Sequence, residues 1–336
     1  FFKKFFNKVV IFRNISCFIR LCLKQYKTHM NLVFQTTITK PLIFEGIGLH
    51  SGKKSKITLL PATDNHGIVF KRTDIKLNNL VKAYYENVVS AKLCTTLQGE
   101  NSVKISTVEH LLAAIYISNI DNVLIEIDNE EVPIMDGSAK LFIDELEKIK
   151  IKTLNSKRKY LKILEKLTYS DGERKITIEP NNSLEVDFQL KYKNKIIGNQ
   201  NSNIDFENED LKDVIESRTF CLYEDIEKIK KIGLAKGGSL DNAIVVDHNK
   251  VLNEKGLRNS KEFVNHKILD LVGDFLLSGY RILGKVKCHQ GGHELTNLFL
   301  RELMKKKSNF SIVEMKNDTY RKKTAQFDQI KLAASA

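Results

Sequence analysis

Leu184, Val186, Phe188, Leu190 and Tyr192 are apolar at every second position, with charged or polar residues between them. A strand points successive side chains to opposite faces, so this segment must lie with one face on a core and the other in water. Such a strand needs a sheet to belong to and a layer to pack against. Residues 56–60, 122–127 and 175–179 read as further strands, and helical patterns cover 107–118, 138–149, 223–232, 262–278 and 294–306. Asp136 and Ser138 offer capping chemistry ahead of the second helix, and Gly279 stops the fourth. A basic, polar stretch at 150–159 looks like the join between two units of similar size, each with strands first and a long helix after them. That order implies an α+β class with helices packed on sheets, and not the regular βαβα alternation of a doubly wound fold. Internal similarity is too slight to define a repeat.

At 336 residues and 42% hydrophobic content the chain is long enough for two cores. No apolar run approaches the ~18 residues that span a bilayer. Its five cysteines, Cys17, Cys22, Cys94, Cys221 and Cys288, are odd in number and form no Cys-x-x-Cys pair. Reduced thiols in a cytoplasmic enzyme are therefore expected. The net charge of +13 includes seven Lys or Arg in residues 1–29, a stretch without acids. Thirteen less those seven leaves +6 for the rest, as suits an enzyme acting on an anionic substrate. Residues 1–30 read as an extension, disordered or translated from an upstream start. Their basic, Phe-rich composition also fits a membrane-hugging or targeting segment.

The chemistry concentrates in residues 262–278. His266, Asp270 and Asp274 follow one another at four-residue intervals, which on a helix places all three on one stripe. A neutral imidazole and a carboxylate one turn apart can grip a divalent cation. The alternative is a solvated helix face. A third ligand is available at His110, beside Glu109. Taken alone, Ser106 and Glu109 fit a capping box, which has no catalytic content. His293 opens the last helix and, beside Asp274, supplies an imidazole whose protonated form a carboxylate would favour.

Gly46, Gly48 and Gly52 superficially resemble a phosphate loop, but the spacing is one residue too long and a strand follows, so a tight turn is expected with His50 at its tip. Residues 218–246 read as a short helix and a strand, whose apolar residues could form a satellite core or line a slot for an alkyl chain.

In this order, Glu45-Gly-Ile-Gly-Leu-His-Ser-Gly-Lys53, Ile105-Ser-Thr-Val-Glu-His-Leu111, Val132-Pro-Ile-Met-Asp-Gly-Ser-Ala139, Arg218-Thr-Phe220, Gly237-Gly-Ser239, the His266 helix and Gly292-His293 resemble the UDP-3-O-acyl-N-acetylglucosamine deacetylases, the zinc enzymes that commit cells to lipid A synthesis. The resemblance runs from about Leu32 to the C-terminus. It implies two similar domains, 31–155 and 156–336, packed as a β-α-α-β sandwich with the active site in the interdomain cleft. It further implies that His110, His266 and Asp270 bind zinc, with iron(II) an alternative in the cell. Glu109 then matches a general base, His293 a general acid oriented by Asp274, and Thr219 a residue stabilising the oxyanion. Lys267, Phe220 and Gly238 match substrate contacts, and residues 221–247 an inserted hydrophobic passage for the acyl chain. Cys221 stands where a glycine is usual. The implied partner is the acylated UDP-sugar alone, handled by a monomer without nucleic acid, with peripheral membrane association compatible.

Two rival readings differ in chemistry. Two histidines and one carboxylate also make the facial triad of non-haem iron oxygenases, but those enzymes have no need of Glu109 and His293. A nucleic-acid-binding module would require basic residues interleaved with aromatics on one face, a pattern missing after residue 29.

Overall fold

The computed structural model describes residues 33–315. The N-terminal extension with Cys17 and Cys22, and residues 316–336, lie outside that range.

In the first half, five strands form a sheet in the order Leu42–Ile47, Lys54–Pro61, Val123–Ile127, Ile68–Arg72, Leu80–Lys82. Only the pairing of Ile68–Arg72 with Val123–Ile127 is parallel, and a parallel pair requires a crossover. Helix α1, Glu109–Ile117, lies on that crossover, after a small sheet of Val88–Ser90, Thr96–Gln98 and Lys104–Ile105. Helix α2, Lys140–Glu147, packs against Leu42–Ile47, with the Phe44 and Phe142 rings edge to face at 5.1 Å. The N-cap position is Ala139, and Ser138 just before it accepts from the Lys140 amide through Oγ.

The second half is built on a seven-stranded sheet, with a separate three-stranded sheet in the insert. Arg281–His289 pairs first with Lys159–Ile163, then runs between Arg174–Pro180 and the alternating strand Leu184–Lys191. Leu184, Val186, Phe188 and Leu190 are all buried, as their spacing requires. Helix α3, Lys212–Ile215, is a single turn; α4, Tyr223–Lys231, sits on the insert beside the strands Phe220–Leu222 and Ile244–Asp247. Helix α5, Glu262–Leu276, packs on Leu184–Lys191, and α6, His293–Lys305, on Leu167–Asp171 and Arg174–Pro180. The stretch read as a join is itself a strand, Ile151–Lys157, paired antiparallel with Phe34–Ile38. Cys94, Cys221 and Cys288 are free thiols.

The two halves meet helix to helix, α1 on α5, which gives the layer order β-α-α-β. Every residue of α5 except Lys267 is buried. Phe263, Ile268, Leu269, Val272 and Phe275 each contribute ~1.5–3 kcal/mol by burial, enough to hold the helix inside although it carries titratable groups. The solvated-face alternative for His266 and Asp270 is thereby removed. Helix α1 is buried along Glu109–Tyr116. The helices come close because Gly273 has no side chain: a Cβ there would overlap the Glu109 carbonyl, with the carbonyl carbon 2.9 Å away.

Candidate metal centre and active site

His266 and Asp270 lie one turn apart on α5, and α1 brings His110 against them. Asp270 Oδ1 is 3.4 Å from Nε2 of both His110 and His266, and the two imidazole rings stand nearly perpendicular with centroids 4.9 Å apart. The three ligand atoms lie within 4.8 Å of one another, and all three residues are buried. Asp270 Oδ1 and His110 Nδ1 are buried without a hydrogen-bond partner. Burial drives the His266 pKa down to about 3 against the pull of Asp270, so the ring is neutral and its lone pair free. Its Nδ1 meets the Ser217 carbonyl at 3.1 Å, a contact that assigns the proton to Nδ1 and turns Nε2 toward Asp270. Burial would raise Asp270, but the neighbouring cations Lys267 and His293 outweigh it and hold the carboxyl well below the usual carboxylate range. An anionic carboxylate beside two imidazoles, with unpaired buried donor atoms, suits a divalent cation.

Glu109 opens α1 but makes no capping box. Val108 is the N-cap, Ser106 forms an isolated bridge with Glu131, and the Glu109 carboxylate accepts from the Thr95 amide at 3.1 Å. Burial raises its pKa. His293 Nε2 stands 3.7 Å from Glu109 Oε1 and 3.8 Å from Asp270 Oδ2. Its Nδ1 is 2.7 Å from Asp274 Oδ2. Burial alone would lower the His293 pKa, but Asp274, Glu109 and Asp270 together raise it to about 10. The ring is a cation at neutral pH. A buried base and a buried imidazolium thus face each other beside the ligand cluster.

Glu109, His110, His266, Asp270 and His293 line a cleft of about 330 Å3, together with Leu93, Thr107, Ile134, Tyr192, Thr219, Phe220 and Lys267. Lys267 Nζ is 3.0 Å from Asp270 Oδ2 and 5.4 Å from the centre of the Phe220 ring. Phe220 packs edge to face on Phe263 and Tyr192. The Thr219 backbone is tied on both sides, its amide to the Gly137 carbonyl and its own carbonyl to the Ile244 amide. Gly137 must be glycine: its φ is +83°, and a Cβ would overlap the Asn242 carbonyl. Gly238 is exposed and does not line the cleft; it lies against Leu49, which does. The Gly46–Gly52 segment is the expected turn, closed by bonds between Gly48 and both Lys53 and Gly52. His50 at its tip is buried, with both ring nitrogens unpaired.

Sequence reasoning missed Thr95, whose amide holds Glu109 and whose hydroxyl holds Asp274 at 2.6 Å. An uncharged residue in a loop carries no periodic signal. Tyr192, the last apolar position of the alternating pattern, also lines the cleft, which its periodicity does not reveal.

A buried carboxylate–imidazole pair beside three side chains that could hold a cation, in the cleft between two sheet-and-helix halves, is the arrangement of a metal-dependent hydrolase. A family model described as UDP-3-O-acyl N-acetylglycosamine deacetylase matches residues 35–305. The chain belongs to that family and is an enzyme, a deacetylase. It is 41% identical over 285 residues to the UDP-3-O-acyl-N-acetylglucosamine deacetylase of Geotalea uraniireducens, covering 84% of this chain and 92% of the relative. With the enzyme of the same name from Helicobacter pylori J99 it shares 39% over 280 residues, 83% of this chain and 94% of the other. The Pseudoalteromonas translucida enzyme, also of that name, is 41% identical over 276 residues, 81% and 91% of the two chains.

Proposed function

We propose that the chain hydrolyses the N-acetyl group of UDP-3-O-acyl-N-acetylglucosamine, releasing acetate and the free amine in the committed step of lipid A synthesis. The observation that carries this reading is the buried set of Glu109, His293 and Asp274 abutting the His110, His266 and Asp270 cluster. We assign zinc to that cluster, with iron(II) as the alternative in the cell; a bound ion would polarise the acetyl carbonyl and acidify a water.

The protein's own residues do the rest. Glu109 removes a proton from the attacking water, and Thr95 keeps its carboxylate in place. Thr219, fixed through its backbone, supports the oxygen on which negative charge develops. His293 delivers a proton from Nε2 to the departing nitrogen, while Asp274 fixes Nδ1 and favours the cationic ring. Lys267 and Phe220 border the sugar, and Gly238 shapes the wall through Leu49.

A cavity of about 810 Å3 adjoins the cleft and shares Tyr192 and Lys267 with it. Lys191, Lys193 and Lys195 line it, and three cationic side chains beside a tyrosine suit a nucleoside diphosphate. Residues 221–247 are the proposed acyl passage: Ile244 and Val246 are core, whereas Tyr223, Ile232 and Leu240 are exposed. Those exposed groups favour peripheral association with a membrane. Among the described residues no helix is long and apolar enough to cross one. We place the enzyme in the cytoplasm as a monomer, built from domains 31–155 and 156–336. The deciding experiment is acetate release from the UDP-linked acylated sugar, with and without metal. The Glu109→Ala protein should lose at least ~100-fold in kcat while retaining its metal. Oxygen-dependent turnover without acetate would overturn the hydrolytic reading.

A further inference from the structure

Away from the residues of the proposed active site, the C-terminal end of α5, at Leu276, and the segment that follows α1, at Asp121 and Asn122, border a separate open cavity of about 530 Å3. Asp121, Arg158 and Arg281 line it with Asn122, Tyr84 and Tyr280. Asp121 is its single carboxylate, and two guanidinium groups share it. Arg158 is fully engaged. Its Nε and Nη2 donate to Asp121 Oδ2 at 3.0 and 2.7 Å, and Nη2 also reaches the Asn119 carbonyl at 3.0 Å.

Arg281 is not. Its guanidinium lies over the Tyr116 ring, 4.4 Å from the centre, and Nη2 donates to the Tyr116 carbonyl at 2.8 Å. Nε is buried with no hydrogen bond, 3.7 Å from Asp121 Oδ1. The residue is 7% exposed. The carbonyls ending α1 supply about half a negative charge. With Asp121 taken up by the bonds from Arg158, that leaves Arg281 the undercompensated one of the two buried guanidinium groups. Burial, and then repulsion from Arg158, lower the Arg281 pKa, which is the expected sign for a cation short of counter-charge. Lys82 and Lys159, both exposed, add positive charge at the rim. A buried cation without a full partner is costly, and a guanidinium fork is matched in geometry by a carboxylate or a phosphate.

We propose that this cavity binds a small oxyanion ligand, a molecule whose phosphate or carboxylate group meets Arg281 on the floor while Lys82 and Lys159 hold its outer part. The liners come from both halves of the fold, so an occupant would bridge the end of α5, at Leu276, and, through Arg281 on the Tyr116 carbonyl, the last turn of α1.

The test is thermal unfolding of the metal-loaded, full-length protein at constant ionic strength, with chloride replaced stepwise by inorganic phosphate, glycerol 3-phosphate or succinate. A saturable rise in Tm is expected, and the more effective arm identifies the anionic group. Arg281→Gln should weaken that ligand at least tenfold. In oxyanion-free buffer the same variant should melt no lower than wild type, since it removes the undercompensated charge. If Arg281→Gln fails to fold, the exposed pair Lys82→Ala with Lys159→Ala carries the test, and a threefold or greater weakening is expected. No stabilisation beyond that of chloride overturns the proposal. So does stabilisation that persists at full strength in these variants, as anions seated on the lysines near the catalytic cleft would produce.

Discussion

Thr95 and Asp274, 179 positions apart in the chain, meet through a 2.6 Å hydrogen bond between Oγ1 and Oδ1. The Thr95 amide holds Glu109 at the same time. Asp274 has its other oxygen on His293, so one small side chain registers the proposed base against the proposed acid. Thr95→Val should lower kcat by ~10–100-fold, the usual cost of losing an orienting partner, with KM and metal content little changed. Thr95→Ser keeps the hydroxyl and should recover most of the activity. Steady-state kinetics with metal analysis checks this, and loss of the metal in Thr95→Val would reassign the residue to holding the centre together.

The pH profile of kcat/KM should be a broad bell. Burial raises Glu109, which works deprotonated, so activity falls as pH drops through a value above the ordinary carboxylate range. Burial opposes but Asp274 leads in raising His293 to about 10; this residue works protonated, and activity falls as pH rises through that limb. Asp274→Asn removes the largest raising influence and should move the basic limb down by about one unit or more. A limb that stays in place would show that His293 is not the group titrating there.

Asp270→Ala and His266→Ala should each lose most of the bound metal, measured by emission spectroscopy on dialysed protein. Lys267→Ala, which touches Asp270 from outside the cluster, should retain metal and raise KM instead. Full metal occupancy in Asp270→Ala would remove it from the ligand set.

Gly273→Ala should destabilise the fold by ~1–3 kcal/mol, because the new methyl enters the contact between α5 and the Glu109 carbonyl. Chemical denaturation measures it. The variant should also bind metal more weakly than its folded fraction explains, since pushing α1 away carries His110 from Asp270. Wild-type stability would mean that the helices separate freely.

Periodicity made the architecture legible. The alternation at 184–190 appears as a buried face, and the expected helices appear within a few residues of their sequence limits. The four-residue spacing of His266, Asp270 and Asp274 was likewise visible, because a helix converts spacing into direction. Glu109 was ambiguous for the same reason: local spacing suited a cap, and only the distant loop carrying Thr95 decides where its carboxylate goes. Thr95, the Gly273 approach and the Arg281 cavity depend on contacts between halves, which no local pattern encodes. Gly238 followed from its motif, yet it lies outside the cleft, against Leu49.

His110 rides on α1, whereas His266 and Asp270 ride on α5. Whatever grips all three fastens one half of the molecule to the other, like a rivet through overlapping plates. Metal starvation should therefore loosen the seam as well as silence the chemistry, and neither half expressed alone has the donors to rebuild it.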